Sequence, residues 1–286
     1  MLLKANCKIN IGLHVVRRRS DGYHDLQTVF YPVYGLYDLL EVQPDTSRSD
    51  ITFHTRGIEV DCEPDKNLVV LCYRRMKERY AQIGGVNATL QKNIPYGAGL
   101  GGGSSDAACM AIALNELFAL GLGKVELAEE VKPLGADCPF FIYNTPCYAT
   151  GIGEVLTPME VNLNGLRLVM IKPEAGVSTK EAYAGVQPDG KEWFFAPITD
   201  PYTMQPADWQ RYRNDFEPSV FALFPAWTTL KQRLLDAGAL YAAMSGSGST
   251  IYGLFDESSG ERKVSDADIQ SAIAGISAKI IYNGKL

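Results

Sequence analysis

Apolar and polar positions alternate in ways that divide the chain into a β-rich opening, a more helical middle and a second mixed stretch. Residues 3–16, "LKANCKINIGLHVV", read as a strand that ends at the polar turn "RRRSDGYH". "DLQTVFYPV", "DLLEVQP" and "SDITFHT" then read as a second, third and fourth strand. "NLVVLCYRRMKERYAQI" carries Leu68, Leu71, Cys72 and Met76 at helical spacing, and Gly84-Gly85 stops it. In "VNATLQKNI" the period changes to two, with Val86, Ala88 and Leu90 on one side. A glycine-rich stretch follows, and after it "SSDAACMAIALNELFAL" sets Ala107, Ala111, Leu114 and Phe118 on one helical face, with Ser104 or Ser105 as the N-cap. "VELAEEVKPLG" predicts another short helix.

From about residue 155 a second α/β stretch begins, which places a boundary between residues 1–155 and 156–286. "LRLVMIKP" is an apolar strand, and "PSVFALFPAWTTLKQRLLDAG" is helical with an internal proline. "YAAMSGSGSTIYGLF" joins two apolar runs through a small-residue turn. "DADIQSAIAGI" closes as a helix and "AKIIYNG" as a strand. Repeats and low-complexity linkers are absent from this reading.

Composition narrows the function classes. The 286 residues are 46% apolar and 21% charged, enough for a sizeable core in an ordinary globular protein. A net charge of −6 argues against a nucleic-acid or membrane surface, yet leaves room for one anionic small molecule in a locally positive pocket. No apolar run reaches membrane-spanning length, and "MLLKANCKIN" is too polar for a signal peptide, so a cytoplasmic location is expected. The six cysteines show no CxxC pair and the three histidines are scattered, which favours reduced, buried thiols over a zinc site.

The chemistry concentrates in "IPYGAGLGGGSSDAA", residues 94–108. Gly97, Gly99 and Gly102 satisfy the dinucleotide pattern G-x-G-x-x-G. That pattern belongs at the first strand-turn-helix of a βαβ unit, whereas here it lies nearly 100 residues in and its helix is followed by another helix. Gly97 and Gly102 also have P-loop spacing, but Gly103 stands where that motif needs lysine. What survives is the physics the two share: bare backbone N–H groups and the positive end of a helix make an anion cradle, to which Ser104 and Ser105 add hydroxyls. A purely structural glycine turn would need fewer glycines.

Two further stretches offer the groups that phosphoryl transfer needs. "CKINIGLHV" puts Lys8 and Asn10 on the same side of a strand; taken alone, Lys8 reads as a lysine on the exposed face of a sheet. "GADCPFF" sets Asp137 in a turn, where a lone aspartate is usually a cap. Together they supply an ammonium, a carboxylate and a phosphate loop.

"KINIGL", "SDGYHDLQTVF", "IPYGAGLGGGSSDAA", "GADCPFF" and "MSGSGSTIYGLF", in this order, resemble the GHMP small-molecule kinases (galactokinase, homoserine kinase, mevalonate kinase, phosphomevalonate kinase). Within them, "DGYH", "GLGGGSSDAA" and "GADCPFF" are similar to the branch acting on a cytidine-diphosphate-linked methylerythritol, in isoprenoid precursor synthesis. The resemblance covers residues 4 to 255 and leaves 187–210 and the last 30 residues unmatched. It implies an α+β fold of two α/β domains, an N-terminal ATP-binding one like the second domain of ribosomal protein S5 and a C-terminal GHMP domain, with the active site in the cleft between them.

The resemblance also implies transfer from ATP, with Mg²⁺, to the substrate 2-hydroxyl, with a homoserine- or mevalonate-type acceptor as the alternative. Asp137 is then the base that takes the hydroxyl proton and a substrate contact, Lys8 its partner, and Asn10 a substrate-binding neighbour. Tyr23 stacks on the cytosine and His24 bonds its edge, with Tyr183 in "AGVSTKEAY" as the second aromatic face. Pro95, Tyr96, Gly97, Ala98, Gly99, Leu100, Gly101, Gly102, Gly103, Ser104 and Ser105 wrap the triphosphate, and Asn67 lies near the adenine. Ser104, Ser105 and Asp137 are candidates for holding Mg²⁺. Ser245 to Ser249 form a glycine turn that either supports the site or contacts ligand. The expected partners are small molecules only, with the chain a monomer or homodimer. A catalytically silent nucleotide sensor on the same scaffold is disfavoured by the presence of both Lys8 and Asp137.

Overall fold

A computed structural model describes residues 1–60, 62–257 and 264–286. The chain divides into two compact units, and neither is a continuous segment. Met1–Lys8, Leu36–Tyr96 and Gly101–Thr145 form the first; Ile9–Gly35, Gly97–Leu100 and Pro146–Leu286 form the second. This division departs from a boundary near residue 155. Its cause is the length of the first two strands, β1 (Leu2–Arg18) and β2 (His24–Pro44), of 17 and 21 residues. Both are at least about three times the common strand length, and each contributes residues to both units. The two strands expected within residues 25–44 are thus one. At Gly35 the strand runs close against Tyr282, whose ring a Cβ would overlap.

In the first unit β3 (Ile51–Gly57) pairs in parallel with β4 (Val86–Lys92), and β4 pairs antiparallel with Leu39–Pro44 of β2. The parallel pair needs a crossover, which α1 (Leu68–Arg79) supplies. Val69, Val70, Cys72, Tyr73 and Met76 form its buried face, so the helix is rotated from the expected one and Leu68 and Leu71 sit at its margin. It also ends at Tyr80, ahead of the glycine pair. α2 (Gly102–Leu117) is buried almost all round, followed by α3 (Lys124–Val131) and α4 (Cys138–Tyr143).

In the second unit Thr28–Phe30 of β2 pairs with β5 (Cys147–Thr150), which pairs with β6 (Val155–Pro158). A separate antiparallel sheet has the order β10-β7-β9-β8, from β7 (Leu166–Pro173), β8 (Tyr241–Met244), β9 (Ile251–Asp256) and β10 (Ala278–Lys285). Against it pack α5 (Thr179–Gly185), α7 (Glu217–Leu223), α8 (Pro225–Asp236) and α9 (Asp266–Ala272), around a core that includes Ile171, Phe216, Trp227, Leu230, Met244 and Phe255. A short α6 covers Pro206–Trp209. Pro225 splits the helix expected over 218–238 in two, as a ring that blocks an interior N–H must.

Among the described residues no helix is long and apolar enough to cross a membrane. The six cysteines, all described, form no disulfide. Burial pushes the thiols of Cys7, Cys109 and Cys138 up to about 12, which leaves them protonated and inert at neutral pH.

Candidate active site

The glycine-rich stretch leaves β4 at Lys92 and enters α2 at Gly102. Gly97, Gly99 and Gly101 have φ of +61°, +75° and +71°, the left-handed region where a Cβ is strained. A Cβ at Gly99 would also stand 2.0 Å from the carbonyl oxygen of Ser245. At Gly101 one would press on Phe141 at 2.9 Å and on Lys8 Cε at 3.3 Å. Gly101, not a serine, occupies the N-cap of α2, and no side chain caps the helix. Ser104 and Ser105 lie inside the first turn, and the Ser105 N–H donates to the Gly101 carbonyl at 3.0 Å. The expected serine cap is therefore absent. The consequence is favourable for an anion, because the first-turn N–H groups have no side-chain acceptor.

Lys8 and Asp137 meet in the first unit, Nζ to Oδ2 at 3.5 Å. The Lys8 side chain is 4% exposed, so the reading as an exposed-face lysine falls, whereas that of Asp137 keeps 31% of its surface. Asp137 occupies the N-cap position of α4 but makes no capping hydrogen bond there. Its carboxylate instead faces the ammonium. The Ser104 hydroxyl hydrogen-bonds the Cys138 thiol, which brings the first turn of α2 against the Gly135–Cys138 turn. Asn67 is the N-cap of α1, its Oδ1 accepting the Val69 N–H at 3.0 Å.

The second unit holds the other expected residues. Asn10 is buried and donates from Nδ2 to Thr28 Oγ1 at 2.9 Å, while its backbone N–H donates to Ser245 Oγ at 3.2 Å. Ser245 in turn donates to the Gly99 carbonyl at 2.9 Å, and the Thr250 N–H donates to that of Ala98 at 3.2 Å. The "SGSGST" turn thus clasps the backbone of the glycine loop. Tyr23 is 62% exposed at the turn before β2. His24 and Tyr183 stack at 4.7 Å and 21°, and Tyr183 meets Phe216 edge-on. Tyr183 thus lies beside His24 of the "DGYH" stretch. Burial, with Arg18 nearby, holds His24 below the usual histidine range, which favours the neutral ring.

Residues 67–145 match the family model for the GHMP kinases N terminal domain, and residues 204–269 that for GHMP kinases C terminal. A 4-diphosphocytidyl-2-C-methyl-D-erythritol kinase of Bacteroides fragilis is 43% identical over 279 residues, covering 95% of this chain and 97% of the relative. A crystal structure of 4-(cytidine 5'-diphospho)-2C-methyl-D-erythritol kinase matches at 32% identity with a TM-score of 0.76, both chains being covered in full. The chain belongs to the 4-diphosphocytidyl-2-C-methyl-D-erythritol kinase family of GHMP kinases. A homoserine kinase from Cytophaga hutchinsonii matches with a TM-score of 0.63 at 19% identity, covering 99% of this chain and 96% of its own, a likeness of fold alone.

This GHMP kinase also buries a charged trio that the sequence reading missed. Lys92 Nζ donates to Asp106 Oδ2 at 2.7 Å and to Asp38 Oδ2, and all three residues are at most 4% exposed. Burial disfavours the Lys92 ammonium, but the two carboxylates outweigh it and hold it above the usual lysine range. Burial and the like charge of Asp38 raise Asp106 well above the usual carboxylate range, against the pull of Lys92. Thr28, which accepts from Asn10, was missed as well. Lys92 had a signal in sequence: it continues the inward series Val86, Ala88, Leu90.

Proposed function

We propose that this chain transfers the γ-phosphoryl group of ATP to the 2-hydroxyl of 4-diphosphocytidyl-2-C-methyl-D-erythritol, in the cytoplasm, as a step of isoprenoid precursor synthesis. The observation that carries the reading is the Lys8–Asp137 pair: a buried ammonium beside a carboxylate that keeps solvent access. The 43% identity to a kinase named for that substrate supplies the acceptor.

In this reading Asp137 takes the proton from the attacking hydroxyl, and Lys8 orients the carboxylate and offsets its charge. The Pro95–Ser105 loop wraps the phosphates through backbone N–H groups from Tyr96 onward, with Asn67 beside the adenine. Asn10 touches the substrate, and Tyr23, His24 and Tyr183 bind the cytosine by ring faces and a neutral imidazole edge. Opening the His24–Tyr183 stack gives a base an aromatic face.

Mg²⁺ fits this donor set. Among the described residues no three His, Cys, Asp or Glu side chains form a metal cage, and Mg²⁺ prefers water, phosphates and one or two hard oxygen ligands. Asp137 and the hydroxyls of Ser104 and Ser105 are of that type. When bound, the ion offsets charge on the transferring phosphates.

The test is turnover with ATP across a panel of the cytidine-linked substrate, the unlinked alcohol, homoserine and mevalonate. The reading predicts turnover of the cytidine-linked substrate alone; folded protein that ignores it overturns the proposal.

A further inference from the structure

The phosphate loop is anchored at both stems by one sealed charge network. Asp38, on β2, accepts the N–H groups of Asn93 at 2.6 Å and Ile94 at 2.8 Å through Oδ1. Its other oxygen accepts from Lys92, the last residue of β4. These contacts fix the chain up to the residue before Pro95. On the far side, Asp106 follows Ser105 directly and accepts from the same ammonium at 2.7 Å. Gly102 is packed onto this network as well, since a Cβ there would meet Ile94 at 3.0 Å and Lys92 Nζ at 3.4 Å.

Stability alone does not account for such an arrangement. Buried ion networks are often no more stabilising than apolar side chains of the same volume. Here the network is also incompletely satisfied, because the buried Oδ1 of Asp106 has no hydrogen-bond partner. What the charges supply that apolar packing would not is direction: one ammonium with fixed acceptors sets where both stems lie relative to β2.

We propose that Asp106 is a positioning residue for nucleotide phosphates: through Lys92 and Asp38 it sets the first turn of α2 against the strand entering the loop, so that the phosphate-binding N–H groups are preset before ATP arrives. This rests on the reading of Pro95–Ser105 as the phosphate loop.

The experiment is calorimetric titration of the full chain and its Asp106→Ala and Asp106→Asn variants with ATP, with adenosine followed by saturation-transfer NMR. Asp106→Ala leaves Lys92 balanced by Asp38, so no uncompensated charge is created. A misplacement of the cradle of this kind predicts an ATP Kd raised about tenfold or more, with adenosine binding unchanged. Asp106→Asn, whose amide oxygen still accepts from Lys92, should restore ATP affinity to within about threefold of the parent. Folded Asp106→Ala that binds ATP like the parent overturns the proposal. So does equal loss of ATP and adenosine, or a failure of asparagine to rescue. Should Asp106→Ala not fold, Asp38→Asn, which keeps an acceptor for Asn93 and Ile94, serves for the same comparison. A parent chain that binds no ATP overturns the phosphate-loop reading itself, whereas one that binds ATP but spares the cytidine-linked substrate overturns only the acceptor assignment.

Discussion

Two lysines are buried in the first unit, and they do different things. Lys8 pairs with a carboxylate that keeps about a third of its surface, at 3.5 Å. Lys92 sits between two carboxylates with almost no surface, both within hydrogen-bond reach. A loose pair with an open side can exchange partners with a ligand and take up a proton. A sealed trio can only hold its neighbours in place. The exposure of the acid partner, more than the burial of the lysine, separates chemistry from architecture here.

The comparison can be broken at its open end first. Asp137→Asn removes the proton acceptor while keeping the shape, and the expected loss in kcat is roughly 10²–10⁴-fold. ATP affinity, measured separately, should stay near that of the parent; a variant that turns over normally would move Asp137 out of the chemistry. At the sealed end, Lys92→Met leaves two carboxylates buried without a counter-ion. Breaking a buried network in this way costs about 3–5 kcal/mol, so urea unfolding should show the loss, whereas a stable variant would mean the trio is wetter than the structure makes it.

Smaller effects sharpen the picture. Ser245→Ala deletes the donor to the Gly99 carbonyl and the acceptor of the Asn10 N–H. Leaving such buried groups unpaired costs about 1–3 kcal/mol, and the KM for ATP should rise more than melting falls if the clasp serves the loop. The smallest effect concerns His24. Its folded value is depressed below 6.5, so the unfolded chain takes up the proton first as pH falls. The contribution is present above about 6.5 and lost as pH drops through the folded value, to a modest extent because the ring is only partly buried. Affinity for the cytidine-linked substrate should weaken over the same window, since a protonated ring has no acceptor. Its absence from the His24→Gln variant, measured by titration at several pH values, is the check.

Most elements were legible because each is encoded by its own period. The alternation of "VNATLQK" and the apolar run of "LRLVMIKP" need no distant partner to be read. Errors arose where the outcome depends on a remote residue. The Lys8 side chain could not be placed from its strand, because residues 5–16 are buried on both faces and alternation carries no signal there. The glycine N-cap of α2 displaced the serines because the loop backbone had already taken the left-handed turn at Gly101. Asp38 and Lys92 are 54 residues apart, and Asn10 and Ser245 are 235 apart. Pairings at that distance are chosen by the whole fold. The contact of Tyr183 with His24 is likewise remote in sequence, and it accompanies the packing of Tyr183, on α5, against Phe216.

The two long strands constrain how the molecule is made. Because β1 and β2 each lend residues to both compact units, no single cleavage of the chain yields two complete pieces. Ile9–Gly35 leaves the ribosome long before Pro146–Leu286, with which it shares a unit, so that unit cannot close during early synthesis. Folding of that unit therefore waits on contacts of large sequence separation, which slows it relative to a chain of local contacts, and a circular permutant opened at residue 155 would shorten those separations by placing Ile9–Gly35 soon after Leu286.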